Sequence, residues 1–88
     1  MWMPEKKGFD PEDGSIEDCL EWGEVTFVFD DKTYKTGGTP EEKLAVFDCE
    51  TWKAVIEAES AEDLLEMEFC GKSLREVLEK EAYILGLD

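Results

Sequence analysis

The chain has 88 residues, 24 of them Asp or Glu against 9 Lys or Arg, with no histidine and a formal net charge of -15. That length holds one domain, and the missing histidine removes both the commonest general base and the commonest metal ligand. A surface this negative excludes a direct grip on nucleic acid, whose phosphates are held by Lys and Arg.

Hydrophobic residues make up 42% of the chain and charged residues 38%, so the apolar fraction matches a globular domain while the charge does not. Each large side chain that is buried contributes about 1.5–3 kcal/mol, enough in sum to offset ordering entropy despite the self-repulsion of the acids. The expectation is a folded domain that gains stability as salt screens its charges. No apolar run approaches the roughly 20 residues of a membrane helix. Lys6 and Lys7 are not followed by the apolar stretch of a secretory signal. Cys19, Cys49 and Cys70 are odd in number and form no CxxC pair, which fits free thiols in a reducing cytoplasm better than a disulfide framework.

Residues 1–14 hold two prolines and two glycines and read as an irregular lead-in, anchored by Trp2 or Phe9, ahead of a single acidic domain over 15–88. Ser15 and Asp18 sit at the spacing of a helix cap, and Ile16, Cys19 and Leu20 fall on one face opposite Glu17, Asp18 and Glu21, which predicts a short helix over 16–22. Residues 24–36 carry the clearest β signal. Val25, Phe27 and Phe29 alternate, Asp30-Asp31-Lys32 supplies a turn of about three residues, and Thr33 to Thr36 resume an extended pattern.

Thr39-Pro40-Glu41-Glu42 has the chemistry of a helix start, with Thr39 as cap and Pro40 at the first helical position. Leu44, Phe47, Thr51 or Trp52, Val55 and Ile56 follow at helical spacing, with Asp48 as a break between two pieces. Ser60 with Asp63 reads as a second cap ahead of Leu64 and Leu65. Alternation over 66–69 suggests a short strand, and Cys70-Gly71-Lys72 a turn. Ser73 with Glu76 caps a final helix whose buried stripe is Leu74, Val77, Leu78 and then Ala82 or Ile84–Leu85. The predicted fold is α+β, a small antiparallel sheet with two or three helices packed on one face. The three tryptophans and Tyr83 are read as core aromatics.

Several chemistries fail on spacing. Aligning Gly14 with the invariant glycine of a calcium loop puts Phe9 at the first ligand position and Leu20 where a bidentate Glu belongs. Gly71-Lys72-Ser73 resembles the end of a phosphate-binding loop, but its first glycine would fall on Glu66. No cysteine has a histidine to activate it, and Cys19 and Cys49 lie directly beside acids that raise a thiol pKa. Carboxylate pairs carry no signal where acids are this abundant. The reading is therefore non-enzymatic, with no cofactor and no metal.

The acids themselves are the informative feature. Glu57, Glu59, Glu62, Asp63, Glu66 and Glu68 crowd into twelve positions with no basic residue among them. A second stretch from Asp10 to Asp31, including Glu17, Asp18 and Glu21, also has no Lys or Arg. Solvated faces normally mix signs, because like charges at i,i+4 cost a few tenths of a kcal/mol, on the order of an ordinary helix pair. Acids three or four apart on a helix lie about 5–6 Å from one another, comparable to phosphates along a strand. These nine acids are the candidate partner-binding residues, and the partner they suit is a basic nucleic-acid-binding protein.

In size, charge and lack of histidine the chain resembles the small phage-encoded inhibitors that mimic DNA, anti-CRISPR proteins among them. The resemblance implies blockade of the nucleic-acid-binding site of a bacterial defence complex, such as a CRISPR effector subunit, in the host cytoplasm. The alternative is an acidic adaptor or assembly domain that uses an apolar anchor such as Trp52 or Trp22.

Overall fold

The computed structural model describes Gly8, Phe9 and residues 15–87. Most of the lead-in expected over 1–14, with Trp2, Asp10, Glu12 and Asp13, lies outside the described residues. Helix α1 (Ile16–Trp22) leads into strands β1 (Val25–Phe29), β2 (Lys32–Gly38), β3 (Leu44–Asp48) and β4 (Ala54–Ala58). Helix α2 (Ala61–Glu66) then crosses to a small hairpin of β5 (Glu68–Phe69) and β6 (Lys72–Ser73). Helix α3 (Leu74–Glu76) continues as a π-helical turn (Val77–Glu81) before the last strand, β7 (Tyr83–Leu87). The main sheet has five strands in the order β4-β3-β2-β1-β7, every pairing antiparallel. The fold is α+β as the sequence predicts, with a larger sheet.

The hairpin over 24–36 forms, and its loop is tighter than expected. Phe29 pairs with Lys32, leaving only Asp30 and Asp31 between the strands, at φ of 53° and 62°. A two-residue turn of this hand needs positive φ at both positions, which Asp tolerates better than most residues. Thr36, buried on β2, accepts a 2.9 Å hydrogen bond from the Val25 N–H.

The helix expected after Thr39 is a β-hairpin instead. The Glu42 N–H donates to the Thr39 carbonyl at 3.0 Å and the Thr39 N–H to the Lys43 carbonyl at 2.8 Å, while Glu42 takes a φ of 64°. This is a type I turn closed by a bulge residue in the left-handed region. Proline at its second position favours a type I turn and the first turn of a helix alike, because both ask for the same dihedrals there. What decides the outcome lies downstream. Val46, Phe47, Val55 and Ile56 suit strands, and Asp48 ends β3 by accepting the Glu50 N–H on its carboxylate at 2.8 Å. The positions read as one helical stripe are thus split between β3, a turn and β4.

All three serine caps form: the Ser15, Ser60 and Ser73 hydroxyls accept the N–H groups of Asp18, Asp63 and Glu76 at 3.2, 3.1 and 3.3 Å. The short strand expected over 66–69 is confined to Glu68–Phe69, because Glu66 closes α2. The final helix is also shorter than its stripe suggested. The Ala82 N–H bonds the Val77 carbonyl at 2.8 Å, a five-residue step that widens and ends the helix. Ile84 then faces the core from β7, paired with Phe27 on β1.

The core lies between one face of the sheet and the helices. Val25, Phe27, Tyr34 and Val46 from the strands meet Ile16, Leu20, Ala61, Leu64, Leu65, Leu74, Val77 and Leu78 from the helical side. Phe69 anchors the junction, its ring centroid 5.0 Å from Tyr34, 5.9 Å from Phe29 and 6.1 Å from Phe27. Gly8 packs against the π-helical turn, its N–H 2.7 Å from the Ala82 carbonyl; at its φ of 99° a side chain would strike the Glu79 carbonyl. Two aromatics read as core are not. Trp22 is 82% exposed and Trp52 64%.

Because Phe69 touches three other rings, truncating it leaves a cavity in the tightest part of the core. Phe69→Ala is expected to cost about 3–5 kcal/mol, seen as a large fall in the urea midpoint. A loss below about 1 kcal/mol would show that the cluster does not tie the small hairpin to the sheet.

Candidate functional site

Helices α1 and α2 pack side by side. Each buries one stripe, Ile16 and Leu20 on α1 and Ala61, Leu64 and Leu65 on α2, so the other positions of both helices turn outward. Of the acids on this helix pair, Glu17 and Glu66 are brought together by a shared Arg75 although they lie far apart in the chain, and Asp18, Glu21, Glu62 and Asp63 are exposed on the same two helices.

Arg75, the only arginine of the sequence, sits at the seam. Its guanidinium reaches Glu17 at 2.7 Å, Glu66 at 3.5 Å and Glu79 at 3.8 Å, linking α1, α2 and the C-terminal helical segment. The hydrogen bond from Arg75 holds the Glu17 carboxyl below its usual range, outweighing the opposing effect of partial burial. The same bond raises the pKa of Arg75. Lys72 similarly pairs with Glu81 at 3.0 Å, and Lys35 with Glu24 at 3.0 Å. Sequence reading did not single out Arg75. Its position as the lone arginine, one residue into a capped helix, was the signal available.

The remaining predicted site residues lie off this helix pair. Glu59 is exposed in the turn between β4 and α2, and Glu68 is exposed on β5. Glu57 goes elsewhere. Ile56 and Ala58 pack on the core, so the alternation of β4 carries Glu57 to the opposite, open face of the sheet. In the second acidic stretch, Asp30 and Asp31 occupy the β1–β2 turn and Glu24 is tied to Lys35.

Helix electrostatics account for part of this acidic surface. Glu17, Asp18, Glu62 and Asp63 lie in first turns, where unpaired N–H groups favour negative charge. Glu21 and Glu66 lie at the opposite ends, where neither helix has a basic residue in its last turn. A carboxylate there opposes the dipole; Glu66 is compensated by Arg75 at 3.5 Å, whereas Glu21 is outside the Arg75 pairs. Among the described residues, no three His, Cys, Asp or Glu side chains converge to hold a metal ion. The Cys49 thiol is pushed up mainly by burial, with Asp48 adding to the shift and Lys35 opposing it. No helix of the described residues is long and apolar enough to cross a membrane.

Comparison with protein-family models, with curated proteins and with solved structures finds no match.

The depressed Glu17 pKa has a defined linkage. Its contribution to stability is fully present above the unfolded glutamate value of about 4.3 and is lost as pH falls through the lower folded value. Replacing Arg75 with Met keeps the aliphatic stem and removes the charge. In Arg75→Met the Glu17 carboxyl is expected, by NMR, to titrate closer to the ordinary range than in the unmodified protein while a backbone hydrogen bond still holds it down, with a stability loss near neutral pH of about 1 kcal/mol. An unchanged Glu17 midpoint would dissociate the shift from Arg75.

Proposed function

We propose that the protein is a non-enzymatic inhibitor that presents its acidic helical layer to a basic, nucleic-acid-binding protein and occupies the site where nucleic acid would lie. The observation that carries this reading is the placement of Glu21. It is exposed at a helix end where a carboxylate is unfavourable, and it lies outside the salt bridges of Arg75, which compensate Glu17 and Glu66. A rigid array of carboxylates offers a Lys- and Arg-lined groove the negative potential that phosphates would offer it, and accelerates encounter by about 10–10³. A bacterial defence complex that reads duplex or guide nucleic acid has such a groove, which places the action in the cytoplasm of the host cell.

The exposure of Trp22 and Trp52 favours a second reading, an acidic adaptor anchored by an aromatic side chain. Salt separates the two. Attraction across a charged interface is screened within about 10 Å at 0.1 M salt, whereas an apolar contact responds little.

Reversing Glu62, Asp63 and Glu66 to Lys changes exposed positions but breaks the Arg75–Glu66 pair, so it is expected to cost about 1 kcal/mol of stability with the fold kept, and to abolish capture of the partner from bacterial lysate. Capture by the unmodified protein is expected to fall steeply between about 0.05 and about 0.3 M salt and to be displaced by duplex DNA. Binding by the triple variant at native affinity, or capture indifferent to salt and DNA, would overturn the mimic reading and leave the adaptor.

A further inference from the structure

The open face of the sheet, opposite the helices, carries a second feature that the acidic layer does not use. Across β2, β3 and β4, Gly37 is paired with Ala45 and Ala45 with Glu57. The β1–β2 register extended by two residues puts Glu24 beside Gly37. One cross-strand row therefore runs Glu24, Gly37, Ala45, Glu57, with a carboxylate at each end and small residues between. At about 4.8 Å per strand the two ends are about 14 Å apart. Over the Gly37 end lies a depression of about 220 Å³ lined by Glu24, Lys35, Gly37, Gly38, Phe47 and Trp52.

Two costs are concentrated there. Glycine inside a strand is destabilising, by about 0.5–1 kcal/mol relative to Ala. Neither Gly37 nor Gly38 has a positive φ, and a Cβ at Gly37 would meet Glu24 Oε1 at 3.5 Å and Phe47 Cε2 at 3.7 Å, ordinary contact distances. Backbone geometry does not require glycine at this position; its effect is to leave a methyl-sized gap between Glu24 and Phe47 above a buried Gly37. Trp52 has a φ of 58°, a conformation that bulky side chains rarely adopt, and it holds its ring at the rim while remaining 64% exposed.

We propose that this depression receives an arginine side chain of a protein partner, the guanidinium stacking on the Trp52 indole and donating to Glu24. The volume is below the roughly 300–1,000 Å³ of small-molecule sites and suits one side chain. The carboxylate of Glu24, which lines the depression, on a chain of net charge -15, favours a cation. A planar guanidinium stacks on an aromatic face and bonds a carboxylate at its edge at the same time, which an ammonium does not. Lys35, already 3.0 Å from Glu24, shares that carboxylate with the incoming group. The site lies on the opposite side of the sheet from α1 and α2, so it does not rest on the reading of the helical layer.

The test is an NMR titration of the full chain at about 0.15 M salt with the capped tripeptide acetyl-Gly-Arg-Gly-amide, following the Trp indole N–H signals. The expected result is a saturating shift at Trp52 and none at Trp22, which is more exposed and reports non-specific attraction of cations. Peptides with citrulline or lysine in place of arginine are expected to bind at least about tenfold more weakly, a difference of about 1.4 kcal/mol. Gly37→Ala is expected to keep or raise the melting temperature and to weaken the arginine peptide severalfold. Glu24→Gln is expected to weaken the arginine peptide and leave the citrulline peptide unchanged, which keeps the test decisive if Gly37→Ala fails to fold. The charge-reversed helical variant is expected to bind the peptide as the unmodified chain does. Equal shifts at Trp22 and Trp52 would overturn the proposal. So would lysine binding as tightly as arginine, saturation by the neutral sugar methyl β-glucoside instead of the arginine peptide, or undiminished arginine binding in both substituted proteins.

Discussion

Arg75 is where the electrostatics of this fold are resolved. A chain of net charge -15 gains by spreading its acids, yet burial of Leu20, Leu64 and Leu65 forces α1 and α2 together and their outward acids with them. The guanidinium inserted between Glu17, Glu66 and Glu79 offsets that crowding at the point where three helical segments meet. Its fork can face several carboxylates at once, which a lysine ammonium on a flexible stem does less well. The apolar stripes draw the helices onto the sheet, and Arg75 makes their shared surface tolerable. It leaves Asp18, Glu21, Glu62 and Asp63 outside its salt bridges.

The two faces of the sheet follow from one alternation. Val25, Phe27, Tyr34 and Val46 point to the helices, and their neighbours Thr26, Lys35, Ala45 and Phe47 point away. Only one face is covered by helices, so the strands that build the core also build an open surface. Ala45 is fully buried on that surface, which requires its neighbours to fold over it. The open face thus has a packed part around Ala45 and Phe47 and a depression beside it over Gly37.

Much of this was legible from local chemistry. The three serine caps, the alternation from Val25 to Phe29 and the Cys70-Gly71 turn are short-range signals, each decided within a few residues, and each is present in the fold. The segment from Thr39 to Ala58 was misread because its first four residues satisfy a helix start and a type I turn equally, and because Leu44, Phe47 and Val55 fit a helical period when Ala45 and Val46 are passed over. Only pairing with β2, the strand just before it, and between β3 and β4 settles such a run as strands. The acidic patch was legible as charge but not as surface. Strand alternation carries Glu57 away from Glu62, Arg75 is marked in the sequence only as the lone arginine of a capped helix, and nothing local points to Trp22 and Trp52 as exposed.

The acidic layer and the depression differ in range. In the proposed reading, carboxylates on α1 and α2 would act through a field that extends to about a Debye length, roughly 8 Å at physiological salt, and so govern approach and orientation. In the proposed arginine site, Trp52 and Glu24 would act only on contact and so govern how long a partner stays once seated. Selection for stability alone would favour a side chain at Gly37, a residue at ease with positive φ in place of Trp52, and a cation in place of Glu21. Each departure lowers the stability of a small domain that has little to spare; Glu21 and Trp52 are exposed, and Gly37 is buried in the sheet but outside the hydrophobic core cluster. Costs distributed in that way are what the two proposed binding faces would require of a scaffold.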